Sequence, residues 1–367
     1  MATIRQMRAG GAAHSAAPAR STTSERGARR TSLARPWHRV LAAARRQLDQ
    51  FVSLESKVLK GDNPEAIHDI RVASRRLQQV LDLLYPPPRP QKVRKLRRTI
   101  RRARRVLSAV RNCDVLLDRV ERVLSRKRTS RREAWEVFRD YLQERREQSF
   151  RKASRRLSRL NLSAFYVRLR EHLKTSVPAQ SDSAPRAGQQ ATPIRDRDDL
   201  LRARLDAALR ETWSSLESRV AQAKETPEAA TLHAVRIAAK RVRYLIEVIH
   251  ELDVSGSAEA LAYLRDLQQH LGDWHDLEVL EQMMLEMVAR PAFLLGRLEL
   301  AMEVERLVLQ HRRSKKAYEE KFFQMTGSSE EWKRLQERVE HFLSAESAQS
   351  GGDGKAAHSP VLPPLRT

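Results

Sequence analysis

The sequence predicts an all-α protein built from two copies of one helical unit. Three observations carry that reading. Leu, Ala, Arg, Glu and Gln dominate and favour helix, while Gly is scarce, with 12 residues in 367. No alternating Val, Thr or Tyr runs mark strands. The string His68-Asp69-Ile70-Arg71-Val72-Ala73-Ser74-Arg75-Arg76-Leu77 returns in the second half of the chain as His233-Ala234-Val235-Arg236-Ile237-Ala238-Ala239-Lys240-Arg241-Val242.

The duplication extends downstream. Leu107-Ser108-Ala109-Val110-Arg111-Asn112-Cys113-Asp114-Val115-Leu116 matches Leu271-Gly272-Asp273-Trp274-His275-Asp276-Leu277-Glu278-Val279-Leu280 in apolar spacing. Leu142-Gln143-Glu144-Arg145-Arg146 matches Leu309-Gln310-His311-Arg312-Arg313. Three blocks in one order, at a nearly constant offset, argue for tandem, pseudo-symmetric repeats. Each is expected to bury its apolar stripes as a bundle of about four helices.

Residues 1–35 read as a disordered basic tail. With Glu25 as their only acid, they loosely resemble an organelle transit peptide, but no amphipathic period supports that. The first repeat spans 36–175. A helix runs from Pro36 to Leu59 and ends at Gly61. Asn63-Pro64-Glu65 then reads as cap, first-turn proline and acid, opening the motif helix that Pro86-Pro87-Pro88 stops. Helices follow from about Val93 to Leu107, Asp114 to Lys127, Arg131 to Leu157 and Ala164 to Leu173. Residues 176–197 are a linker by their Pro, Gly, Ser and Gln content. The second repeat spans 198–345: a helix to Lys224, a Thr226-Pro227-Glu228 start, the second motif helix to His250, then helices at about 257–270, 274–289, 292–325 and 329–345. Residues 346–367 read as a flexible tail.

Charge narrows the partner. The net charge is +24, which points to a polyanion: nucleic acid, an anionic lipid surface or polyphosphate. Residues 36–175 hold 37 Lys and Arg against 15 Asp and Glu, a net of +22, whereas 198–345 hold 21 against 26, a net of −5. Anion binding in the second half therefore rests on local placement. Cys113 is the only cysteine, so no internal disulfide or Cys-based zinc cluster is expected, and a reducing, cytoplasmic compartment fits. No apolar run approaches the length of a membrane span.

Steps of three and four stay on one helical face. His68, Arg71 and Arg75 thus form one row, and His233, Arg236 and Lys240 another, continued by Arg243. Each row lies near a helix start, where the dipole favours anions. Guanidinium forks suit phosphate oxygens, and Lys acts as a point charge. A row spans roughly 10 Å at 1.5 Å per residue, room for several phosphates. One copy alone could be a solvated basic face; its duplication argues otherwise. A metal is disfavoured because Arg neighbours repel a cation. The densest patch is 92–105, where Lys and Arg outnumber all other types and none is acidic; such crowding is unfavourable without a counter-anion. Lys95, Arg98, Arg102 and Arg105 form one of its rows. Arg145, with Arg312, Arg313 and Lys316 as counterparts, adds a further set. Trp274 takes the place of Val110 and reads as core. There is no phosphate-binding loop, nucleophile elbow or zinc-protease motif, so no catalytic residue and no cofactor are expected.

The paired H-x-x-R-V-x-x-R-R-L patterns and the L-x-x-x-R-[ND]-x-x-V-L block resemble the CHAD family (conserved histidine α-helical domain), over about residues 36–345. The resemblance implies two pseudo-symmetric four-helix bundles, a basic groove or channel between them, binding of inorganic polyphosphate, and association with polyphosphate granules. By motif match it implies ligand roles for His68, Arg71, Arg75, Arg76, His233, Arg236, Lys240, Arg241 and Arg243. Gln78 departs from the basic residue usual there, and Ser108 and Asn112 from the commoner Gly and Asp. The Glu-x-Glu-x-Lys signature of the triphosphatase domain fused to some members is missing.

The expected function is therefore non-enzymatic polyphosphate binding. A nucleic-acid-binding helical protein is the weaker alternative, because few aromatics interleave with the basic rows; an accessory domain of phosphoanhydride metabolism is another. Histidine protonation should add charge below about pH 6.5, so affinity should rise on mild acidification. Reversing Arg71 and Arg236 to Glu is the first test the rows invite.

Overall fold

The computed structural model describes residues 36–175, 194–327 and 329–344. Among these residues there are thirteen helices and no strand. Both expected tails, and 176–193 of the expected linker, lie outside the described residues. Residues 194–197 are already helical.

The first half contains α1 (Pro36–Ser53), α2 (Glu55–Lys60), α3 (Pro64–Leu84), α4 (Gln91–Val106), α5 (Ser108–Leu124), α6 (Arg132–Ser158) and α7 (Leu162–Thr175). The second contains α8 (Ile194–Glu225), α9 (Ala229–Glu251), α10 (Ser257–Val288), α11 (Pro291–Gly296), α12 (Leu298–Thr326) and α13 (Glu330–Ser344).

Helix α3 starts as its sequence demands. Asn63 caps it by accepting from Ala66 N at 3.1 Å, and Pro64 fills the first turn, where no backbone donor is needed. The second motif helix starts differently from expectation. Its cap is Glu228, not Thr226, in a reciprocal capping box with Thr231. Glu228 and Thr231 satisfy each other's orphan donors, so Pro227 stays outside the helix. Other boundaries also move. The helix expected from Asp114 to Lys127 spans Ser108–Leu124. The first helix breaks at Leu54. The two helices expected around 257–289 are one, because Gly272 lies inside α10 and a lone glycine only weakens a helix. The expected 292–325 helix divides after Gly296.

The apolar face of α3 explains where its cations go. Ile67, Ile70, Ala73, Leu77 and Leu81 are buried at helical spacing, which leaves the His68–Arg71–Arg75 row on another face. Truncating Ile70 or Leu77, each at most 1% exposed, would cost about 2–5 kcal/mol. Gly61, with φ of 81°, precedes α3. A Cβ there would meet the Phe150 ring at 2.4 Å, so glycine is required on both counts.

The cores do not follow the boundary between repeats. One apolar cluster draws on α1 to α9, the first half of α10, the C-terminal part of α12 and α13. A second joins α5 and α6 to the latter half of α10 and to α12. Both cores draw on both halves of the sequence, which brings the two motif helices within one packed body.

Candidate functional site

Helices α3, α5, α9 and α10 line a cavity of ≈ 1080 Å³. The first motif row contributes His68, Arg71, Arg75 and Arg76. The second contributes Arg236, Lys240 and Arg243. Rows far apart in sequence thus face one space. Nine Arg or Lys side chains and five carboxylates line it, a clear cationic excess.

Several of these cations are held in place. Arg71 Nη1 donates to the Arg104 carbonyl at 2.7 Å and to Ser108 Oγ at 2.8 Å, which pins it to the α4–α5 junction. Arg75 Nε donates to the Tyr244 hydroxyl at 2.7 Å. These acceptors are neutral, so they orient the guanidinium groups without cancelling charge. Arg76 instead pairs with Glu247 at 2.9 Å, and Arg243 reaches the same carboxylate at 3.5 Å. Arg146, from α6, pairs with the buried Asp114 at 2.5 Å and donates to the Gly61 carbonyl at 3.0 Å.

Arg236 and Lys240 are different. Neither makes an ion pair among the described residues, and the Arg236 Nε is buried without an acceptor. Burial, then repulsion from Arg236, Arg75, Arg243 and Arg71, pulls the Lys240 ammonium down to about 6. Burial and neighbouring arginines, Arg236 included, pull Arg71 down to about 10. Burial also lowers Arg236, with Asp276 opposing and Arg75 adding to the shift. Such crowding of like charges is unfavourable and is relieved by an anion.

The histidines are more buried and more crowded by cations than their sequence alone suggests. Burial, followed by repulsion from neighbouring cations, lowers His68 and His233 below the ordinary imidazole value. His275 falls to about 3 for the same reasons, with Arg236 the largest charge acting on it. Burial and the surrounding cations thus work against protonation of these rings. His233 does not itself line the cavity. Its ring packs on His275 with centroids 5.1 Å apart, and His275 lines the wall.

The expected Lys95, Arg98, Arg102, Arg105, Arg145, Arg241, Arg312, Arg313 and Lys316 are not cavity residues. Lys95 borders a hollow between α4 and α7, and Arg98 another on α4. Arg102 and Arg105 point outward from α4, Arg241 from α9, and Arg313 and Lys316 from α12. Arg145 pairs with Glu286 at 2.8 Å, and Arg312 with Glu281 at 2.6 Å. Trp274 is core, 3% exposed, with its indole N–H on Glu319 at 3.2 Å. Residues that the rows did not name also line the cavity: Arg111, Asn112, His275 and Asp276, with Arg265 and Gln268. The first four were signalled in the duplicated downstream block, where Arg111-Asn112 and His275-Asp276 hold equivalent places.

A family model for the CHAD domain matches residues 42–285, which includes both motif rows and more than half of the chain. The chain belongs to the CHAD domain family. A crystal structure of the CHAD domain from the plant Ricinus communis superposes on this CHAD chain with a TM-score of 0.57 at 22% identity, covering 80% of this chain and 91% of that one. A second solved structure, PptA from Streptomyces chartreusis, gives 0.52 at 15% identity, covering 78% and 98%. At these identities the likeness is one of fold. No curated protein matches the chain. Among the described residues of this CHAD protein no helix is long and apolar enough to cross a membrane.

Proposed function

We propose that the cavity between α3, α5, α9 and α10 binds inorganic polyphosphate, and that the protein is a binding protein with no catalytic step of its own. The observation that carries this reading is the convergence of both motif rows on one space, where Arg236 and Lys240 make no ion pair among the described residues. A linear polyanion presents many oxygens to several guanidinium groups at once. It would relieve the repulsion among Arg71, Arg236 and Lys240. Membership of the CHAD family, which the motif resemblance links to polyphosphate, supports the same ligand. Association with polyphosphate granules follows from that ligand as part of the proposal.

Arg71 also braces the α4–α5 junction, so reversing it to Glu would disturb packing as well as binding. The cleaner test is Arg236→Gln with Lys240→Gln, which removes two basic side chains from the cavity wall and breaks no ion pair among the described residues. Titration calorimetry with tripolyphosphate should show a loss of about tenfold or more in affinity, with helicity retained. Unchanged affinity would sink the assignment of the cavity. Polyphosphate should displace DNA or RNA at physiological salt, and the reverse order would favour a nucleic-acid role. Phosphate release from polyphosphate in the presence of Mg²⁺ should stay flat; sustained release would make the protein an enzyme.

A further inference from the structure

The arginines of α4 form a route rather than one patch. Arg104 sits at the cavity's edge: its carbonyl accepts from Arg71, and its Nη2 donates to Gln78 of α3 at 3.1 Å. One face further along, Arg97 is held on Asp82 at 2.5 Å, and Arg89 approaches the same carboxylate at 3.5 Å. These two, with Arg94, Arg98 and Arg101, enclose a hollow of ≈ 290 Å³. Among the described residues, Asp82 is the only carboxylate paired with any of the five. Arg94, Arg98 and Arg101 are exposed and make no ion pair among the described residues.

The positive field is continuous from one space to the other. Arg104 is lowered first by burial, then by Arg75 on the cavity side and by Arg101 on the outer side. Arg89 is lowered by burial, with Arg97 and Arg101 adding to the effect. From Arg104 back to Arg94 is about 15 Å at 1.5 Å per helical residue. That length suits several successive phosphates, and each guanidinium fork can take two oxygens.

We propose that a phosphate chain too long for the cavity leaves it along α4, past Arg104 and Arg101, and ends in the hollow framed by Arg89, Arg94, Arg97 and Arg98. The protein then selects for chain length. Short chains fill the cavity alone, and longer ones gain the outer arginines. This inference rests on the cavity binding phosphate chains, and its test is arranged so that the two can fail separately.

The probes are tripolyphosphate and a narrow cut of longer chains. The outer variant is Arg94→Gln, Arg98→Gln and Arg101→Gln together, which breaks no ion pair among the described residues. It should bind tripolyphosphate within about twofold of the parent and lose about tenfold for the longer chains. The slope of log K against log salt for the longer chains should fall by about 2 to 3. Longer chains whose affinity and salt slope were unchanged in this variant would overturn the route. So would two longer chains bound independently to one protein, since the hollow would then be a second site. Tripolyphosphate binding that survived Arg236→Gln with Lys240→Gln would remove the cavity, and the route that starts there.

Discussion

Arg75 Nε donates to the Tyr244 hydroxyl at 2.7 Å across 169 residues of sequence. The bond joins the two motif helices in the wall of the cavity, and it holds a cationic fork in place without neutralising it. Tyr244→Phe removes the acceptor and leaves the ring packing intact. Stability should fall by about 1 kcal/mol. Tripolyphosphate affinity should fall several-fold, because Arg75 is no longer oriented. Thermal melts and calorimetry together decide this. A stability loss at unchanged affinity would show that Arg75's orientation does not matter to binding.

Lys240 should cost stability when no polyanion is added. Its folded value of about 6 lies below the ordinary lysine value of 10.5. Between those values the unfolded chain binds the proton and the folded one releases it, so stability rises with pH across that window. Below pH 6 both states are protonated and the penalty is complete. Lys240→Gln should therefore melt several degrees above the parent at pH 6, with the gap narrowing towards pH 10. A parallel pair of melting curves across this range would contradict the crowding described here.

The same lysine should couple binding to proton uptake. A bound polyanion favours the ammonium form, so affinity should rise as pH falls from about 9 towards 6, by up to tenfold per unit. Below about 6 the free site is already protonated at Lys240, and the gain should level off. Calorimetry in buffers of different ionisation enthalpy should detect close to one proton taken up at pH 8. Lys240→Gln should abolish it. Uptake that persisted in this variant would move the switch back to the histidines.

Glu247 restrains two cavity cations, Arg76 and Arg243. Glu247→Gln should release both towards the ligand. The expected result is several-fold tighter tripolyphosphate binding and a steeper salt dependence, at a cost of about 1–2 kcal/mol in stability from two weakened, partly exposed pairs. Weaker binding would mean that Glu247 positions these arginines rather than occupying them.

Much of this site was legible because helical faces are local. Steps of three and four residues put His68, Arg71 and Arg75 on one side of α3 and the apolar residues on another. The same arithmetic does not separate Arg76 from Arg241. Each lies five residues, about 140° around the helix, from the arginine of its row, yet Arg76 lines the cavity and Arg241 is exposed; Arg243, at seven residues from Arg236, returns to the cavity. Arg111 and His275 were readable only as equivalent places in the downstream block, since their residue types differ. The fate of Arg145 and Arg312 was not readable. Glu286 and Glu281 are distant in sequence from their arginines, and a count of charges does not pair them.

The sequence by itself determined the helical class, the duplication, and the faces on which the cationic rows lie. Each of these follows from periodicity within a few turns of chain. Only the tertiary structure decided that the two rows meet, that both cores cross the repeat boundary, and that Lys240 is buried among arginines that lower its pKa. Burial and like-charge repulsion arise between side chains from opposite halves of the sequence, such as Arg71 and Arg236. Those contacts exist only once α3 and α9 share one packed body.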